Sequence, residues 1–256
     1  MKMHATSIVH PNAELADEVE IGPFCLVGEH VTIGRGTRLL AHVVVNGRTT
    51  IGEDCIIHPF ATIGASSQDR KATKGEVAYT RIGNRTILRE YVSVQRGTGE
   101  GSATVVGDDC LFLAYVHIAH NCHIGNRVTM SNLAQVAGHG IVEDFATIGG
   151  MTGVHQFTRV GRYAMVGGMT RLTMDAPPYC IVEGNPPKPH GLNKEGLRRA
   201  GFGAEAIAAL KRCYRTLYLS KLNTTQAIEA LHQSPVTDEV REIIEFVTSS
   251  QRGIQR

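Results

Sequence analysis

The chain has 256 residues, 26 Lys and Arg against 24 Asp and Glu, no tryptophan and 5% aromatic residues. Near-balance of charge gives no ground for a general affinity for nucleic acid or membrane surfaces. Nothing approaches the ~20 consecutive apolar residues of a membrane span, and no apolar leader opens the chain, so the sequence reads as cytoplasmic, without stable membrane insertion.

The first elements in chain order are hexads. Stepping by six from Val9 gives Leu15, Ile21, Val27, Ile33, Leu39, Val45, Ile51, Ile57 and Ile63, all aliphatic. The beat resumes at Ile82, Leu88 and Val94, and again from Val106 to Leu172. A second register two residues earlier carries smaller side chains, among them Cys25, Thr37, Cys55, Ala61, Cys110, Cys122, Ala134 and Ala146. Positions i−2 and i share one strand face, so each hexad inserts one small and one larger side chain and then turns. Such a period marks a solenoid of parallel strands. Its interior is too narrow for large rings, which fits the scarcity of aromatics. Cys25, Cys55, Cys110 and Cys122 are then compact core residues, and Cys180 and Cys213 have no metal-like spacing.

Three faces make the smallest closed prism, and both interruptions fit three hexads, or 18 residues, per coil. They follow Ile63 and Val94, so loops near 65–81 and 95–105 leave from one corner and stack, which suggests a shared site. The GTGEG run from Gly97 lacks the following helix that a phosphate-binding loop needs and reads as a turn. The hexads end near Leu172, and the segment 175–189, with Pro177, Pro178, Pro186, Pro187 and Pro189, reads as a linker or cap. Residues 1–185 are therefore expected to form the β-helix and 186–256 a small α-helical domain. In the latter, Ile207, Leu210, Tyr214, Leu217 and Tyr218 form one apolar stripe and Val240, Ile243, Ile244 and Val247 another. Thr237 is placed to cap the last helix, and Thr224 or Thr225 to start a short one.

Twelve histidines are more than a scaffold needs. An 18-residue coil sets Gly138 above His120 and Gln156 above Gly138, with His117, His139 and His155 beside that column. Coils are separated by about one strand spacing, ~4.8 Å. Three readings compete: imidazoles tolerated on an exposed edge, a metal site, or a general base beside a backbone donor. The metal reading lacks any Cys, Asp or Glu at matching positions to complete or orient a ligand set. A base titrating near ~6.5 next to a glycine N–H open to an oxyanion describes acyl transfer.

The hexads, the VHIAHNC segment from Val116, AGHG from Ala137, IGGMTGVHQF from Ile148, and PPYCIVEGNPP with GLNKEGLRRAGF resemble the hexapeptide-repeat acyltransferases. Within these they resemble the acyl-carrier-protein-dependent UDP-N-acetylglucosamine O-acyltransferases that begin lipid A biosynthesis. The resemblance covers nearly the whole chain. It implies a left-handed parallel β-helix with a helical C-terminal domain, assembled as a homotrimer with sites between subunits. His120 would take the proton from the sugar 3-hydroxyl as it attacks a 3-hydroxyacyl thioester on the phosphopantetheine of acyl carrier protein. Gly138 N–H would hold the oxyanion, with no acyl-enzyme, no metal and no further cofactor. Asp69, Lys71, His117, Asn121, His139, His155, Gln156, Asn193, Glu195 and Arg199 would bind substrate, and Gly168 would mark the acyl-chain length, an open path implying a long chain.

Some positions depart from the family pattern. Asn121 follows the histidine where an aspartate is familiar, Gln95 replaces a frequent histidine, Ala200 replaces a second arginine, and Pro186 replaces a histidine found in some long-chain members. A 3-amino sugar nucleotide as acceptor and a coenzyme-A-dependent sugar acetyltransferase remain open alternatives, as does a non-catalytic scaffold. An acidic carrier protein would dock on basic residues, with Arg198, Lys211, Arg212 and Arg215 as candidates.

Overall fold

The computed structural model describes residues 2–73, 75–233 and 236–256. Short strands two to four residues long repeat along the chain and stack into three parallel sheets, the faces of a left-handed prism. Among the described residues the sheets hold 11, 9 and 8 strands, the 11 including a longer terminal hairpin whose last strand is antiparallel. Register advances by one coil of 18 residues, as in Glu20 on Arg38, Leu26 on Val44 and Thr32 on Thr50. The hexad positions fill the interior, where Ile33, Leu39, Ile51, Ile57, Ile63, Leu88, Ile118, Ile124, Met130 and Ile148 are fully buried. The smaller register lies beside them, and two of its threonines satisfy their hydroxyls locally, Thr37 on Gly52 O at 2.7 Å and Thr152 on Gly167 O at 2.7 Å, while the buried hydroxyls of Thr80 and Thr158 have no partner among the described residues. The four interior cysteines are buried free thiols, and burial pushes Cys110 up to about 11 and Cys122 up to about 12.

Most corners turn on one residue in the left-handed region, with φ between 52 and 66° for the non-glycine cases from Glu18 to Tyr179. Such conformations cost on the order of 1 kcal/mol each. The coil stack offsets this cost, because the corner N–H donates to the coil below, as His42 does to Pro23 O at 2.9 Å and His139 to His120 O at 3.1 Å.

The three corners differ in chemistry. Between the first and second faces runs an exposed column of Phe24, His42, Phe60, Tyr91, Tyr115, Leu133, Met151 and Met169. Its first five rings stack at 4.7–4.9 Å. Between the third and first faces the column is charged, with Arg85 on Asp109 at 2.7 Å and Arg127 near the same carboxylate. It then turns aromatic at Phe145, Tyr163 and Tyr179, the last two of which meet Phe202 of the C-terminal region. The corner between the second and third faces carries both inserted loops. The first joins Thr62–Ala65 to Tyr79–Ile82 and the second joins Ser93–Gln95 to Ala103–Val106. They stack as their common corner predicts, with Val77 N on Glu100 Oε2 at 2.9 Å and Gly101 N on Val77 O at 2.8 Å.

The proline-rich segment is part of the sheet. Cys180–Gly184 continues the first face in parallel and Pro187–Leu192 folds back antiparallel to it. Pro187 and Pro189 are tolerated because this last strand is an edge and needs few N–H donors. Residue 185, where the composition changes, lies in the turn of this hairpin.

Among the described residues four helices follow, α1 (Lys194–Arg199), α2 (Ala204–Leu219), α3 (Thr224–His232) and α4 (Asp238–Ser249). Asn193 caps α1, Thr237 caps α4, and Asn223 with Gln226 forms a capping box at α3. Leu197, Leu210, Cys213, Leu217, Leu231, Ile243 and Phe246 pack with Tyr163 and Tyr179 into one core. No helix among the described residues is long and apolar enough to cross a membrane.

Candidate active site

A groove of about 920 Å³ opens on the second face and its corner with the third. It brings together Asp69, Lys71, His117, His120, Gly138, His139, His155 and Gln156. Gln68, Gln95, Thr98, Gln135, Gly153 and Arg171 also line it. Most of these additions come from the loops or from outward-facing strand positions, which the hexad pattern leaves free to vary.

His120 lies at the centre. Its side chain is 15% exposed, and its ring meets His139 edge-on at a centroid separation of 5.2 Å. Gly138 makes this position available, since a Cβ there would come within 2.4 Å of His120 Nε2 and 2.6 Å of Cε1. Among the described residues the Gly138 N–H has no protein acceptor. His120 and Gly138 thus stack on adjacent coils as the 18-residue period predicts.

Asn121 is expected with the ligand-binding residues, yet it does not line the groove. Its Oδ1 accepts from Thr98 N at 2.8 Å and contacts His120 Nδ1 at 2.8 Å, while its Nδ2 donates to Thr98 O at 3.2 Å. Its own N–H reaches Thr104 Oγ1 at 2.9 Å. The glycine-rich run 97–101 is a turn, as expected, and is anchored to the histidine edge. Asp69 arrives on the first loop with Oδ2 3.7 Å from His120 Nε2. Gln95, 4% exposed, accepts from Gln68 N at 3.3 Å and ties the two loops together beside the groove.

Burial lowers the pKa of His117, whose Nδ1 lies 2.7 Å from Ser93 Oγ. His139 is also lowered, first by burial and then by the neighbouring His120, and it stacks on Phe157 at 4.5 Å. Both imidazoles are thereby kept neutral to lower pH, suiting them to hydrogen bonding.

Four expected residues lie elsewhere in the chain. Gly168 is at the apolar corner, its nearest neighbour across the coil being Gly150 O. Asn193 is 8% exposed, with Nδ2 donating to Tyr163 O at 3.0 Å and Oδ1 capping α1 through Gly196 N at 3.1 Å. Glu195 pairs with Arg198 at 2.8 Å and Arg199 at 3.2 Å. These helical residues stand at the aromatic corner, away from the groove of their own chain. Asn193 is occupied structurally, whereas Arg199 projects an exposed guanidinium.

A family model described as UDP N-acetylglucosamine O-acyltransferase, domain 2, matches residues 175–255, and one described as bacterial transferase hexapeptide matches residues 30–65 and 103–138. The chain is 48% identical over its full length to an acyl-(acyl-carrier-protein)–UDP-N-acetylglucosamine O-acyltransferase of Thermodesulfovibrio yellowstonii, covering 99% of that protein. It is 46% identical to the protein of that name from Burkholderia orbicola, covering 100% of this chain and 99% of that protein. Among solved structures, the UDP-N-acetylglucosamine acyltransferase of Francisella novicida superposes with a TM-score of 0.96 at 34% identity, covering 99% of this chain and 94% of that one. The UDP-N-acetylglucosamine acyltransferase of Bacteroides fragilis does so with a TM-score of 0.96 at 35% identity, covering 99% and 100%.

Proposed function

The chain belongs to the UDP-N-acetylglucosamine O-acyltransferase family, and from that premise we propose that it moves a 3-hydroxyacyl chain from acyl carrier protein to the sugar 3-hydroxyl in the first step of lipid A biosynthesis. The observation carrying the mechanism is the seating of His120 against Gly138, which supports a base and an oxyanion donor at one point.

In this reading His120 Nε2 takes the 3-hydroxyl proton as the sugar oxygen attacks the thioester carbonyl carbon. The carbonyl oxygen becomes an oxyanion and accepts from Gly138 N–H, a contact typically worth ~2.7–4 kcal/mol. Collapse re-forms the carbonyl and breaks the carbon–sulfur bond, and the imidazolium returns its proton to the departing phosphopantetheine thiolate. The sugar ester forms directly, without an acyl-enzyme. Asp69, Lys71, His139, His155 and Gln156 border the space for sugar and pantetheine. From there the acyl chain crosses the second face past Gly153, where a Cβ would meet nothing within 4 Å, toward Gly168 at the far corner.

Glu195 and Arg199, on the helix that Asn193 caps, would reach a nucleotide in this groove from a second copy, which supports a homotrimer with shared sites. The exposed apolar column is the natural contact surface for such an assembly. Arg198, 72% exposed, and Lys211, Arg212 and Arg215 of α2 are the candidates for docking an acidic carrier protein. A cytoplasmic location fits a reaction that draws on acyl carrier protein and a nucleotide sugar.

Transfer from 3-hydroxyacyl carrier protein to UDP-N-acetylglucosamine, compared between native protein and His120→Ala, tests the reading. Product from the native protein and a loss of ~10² or more in the variant are expected. Turnover only with the 3-amino sugar would overturn the hydroxyl acceptor, and an active variant would overturn the base.

A further inference from the structure

We propose that the carboxylate balancing the His120 imidazolium is Asp69 of the first inserted loop, while Asn121 holds the imidazole in one tautomer. This inference rests on the general-base reading above.

Asn121 is fixed by two opposed contacts with one residue. Thr98 N–H donates to Oδ1 at 2.8 Å, and Nδ2 donates to Thr98 O at 3.2 Å. Reversing the amide would set donor against donor and acceptor against acceptor. The oxygen therefore faces His120 Nδ1, 2.8 Å away, and can only accept. The proton of the neutral ring then resides on Nδ1, and the Nε2 lone pair opens toward the Gly138 edge. An amide oxygen orients the ring but carries no formal charge to offset an imidazolium.

Asp69 is equally constrained. Its N–H donates to Ser67 Oγ at 3.0 Å and its Oδ1 accepts from Lys71 N at 3.0 Å, closing an Asx turn. That turn leaves Oδ2 directed at His120 Nε2, 3.7 Å away. The separation is too long for a hydrogen bond, so the lone pair stays open to a substrate hydroxyl. It is short enough for the carboxylate charge to offset the positive charge that the ring carries during transfer. The two side chains are 15% and 26% exposed, which limits screening by solvent. As the hydroxyl proton passes to Nε2, positive charge appears beside Asp69 and is discharged when the thiolate takes the proton. Asp69 exchanges no proton and acts through His120, as a positioning residue.

A double-mutant cycle at saturating substrates tests this. Asp69→Asn is expected to lower kcat about tenfold or more, beyond any change in KM. Asn121→Asp restores a carboxylate on the other side of the ring, so its effect on kcat should be at least tenfold more favourable in the Asp69→Asn background than in the native one. Equal factors in the two backgrounds, or an Asp69→Asn effect confined to KM, would overturn the proposal. If Asn121→Asp lowers the melting temperature below that of the assay, Asp69→Glu replaces it. Retention of most of the activity lost in Asp69→Asn supports the charge role, and equal loss overturns it. His120→Ala separates the two readings, since activity there removes the base itself.

Discussion

At the residue scale, the site depends on one missing side chain. A methyl group at Gly138 would meet His120 Nε2 and Cε1 at distances that no real Cβ accepts, so Gly138→Ala must push the imidazole from its place. The backbone there has no positive φ to resist the change. Gly138→Ala should therefore lose ~10² or more in kcat, as for loss of a general base, while its melting temperature stays near that of the native protein. An unfolded variant would contradict this separation of function from stability. His117 gives a prediction in pH. Its folded pKa lies below the ordinary 6.5 because it is buried, so the unfolded chain takes up the proton first as pH falls. The stability associated with the neutral ring is complete above about pH 6.5 and is lost as pH falls through the folded value. Melting curves should decline below about pH 6.5, and His117→Gln should flatten that decline. The pairing of His120 with Gly138 was legible because a fixed 18-residue step stacks them. The Asn121–Thr98 contact and the approach of Asp69 were not, because loop paths follow no period.

At the element scale, what the sequence made plain was the part governed by repetition. Aliphatic residues at every sixth position leave the chain no other way to bury them, and the matching offsets at Ile63 and Val94 placed both loops at one corner. The hairpin of Cys180–Gly184 and Pro187–Leu192 was hidden by its prolines, which argue against a central strand but not against an edge. Helix α1 escaped because one buried residue, Leu197, gives no stripe to detect. The closing of the helical region onto the prism also runs through a contact invisible in sequence. Asp175, 1% exposed, accepts from Arg159 N at 2.7 Å and from Ser250 Oγ at 2.7 Å, while its main chain pairs with the C-terminal residues Gly253 and Gln255. Asp175→Ala strands a buried donor and should cost about 1–3 kcal/mol. The expected fall in melting temperature is ~2–4 °C per kcal/mol, measured by calorimetry. An unchanged transition would show that the main-chain pairing alone fastens the tail.

At the scale of the whole molecule, three corners carry three tasks. One holds the loops and the histidines, one passes from ion pairs to the aromatic seat of the helices, and one presents an apolar column from Phe24 to Met169. The first two are satisfied within the protomer, and the third is not. Half-exposed aromatic and Met rungs of this kind are worth about 1 kcal/mol each when covered. In the trimer proposed above, the groove of one copy meets the α1 region of the next. His120 and Arg199 of any one chain then serve different sites. His120→Ala and Arg199→Ala proteins should each be nearly inactive alone. Unfolding and refolding them together should restore transfer, because some mixed trimers contain a site with an intact His120 from one parent and an intact Arg199 from the other. Restoration also requires the column, so Tyr91→Asp with Tyr115→Asp in both parents should abolish it and reduce the mass in solution to that of one chain. Failure of the mixture to recover, with each parent folded and trimeric, would place Arg199 in the service of its own chain's groove or of no site at all.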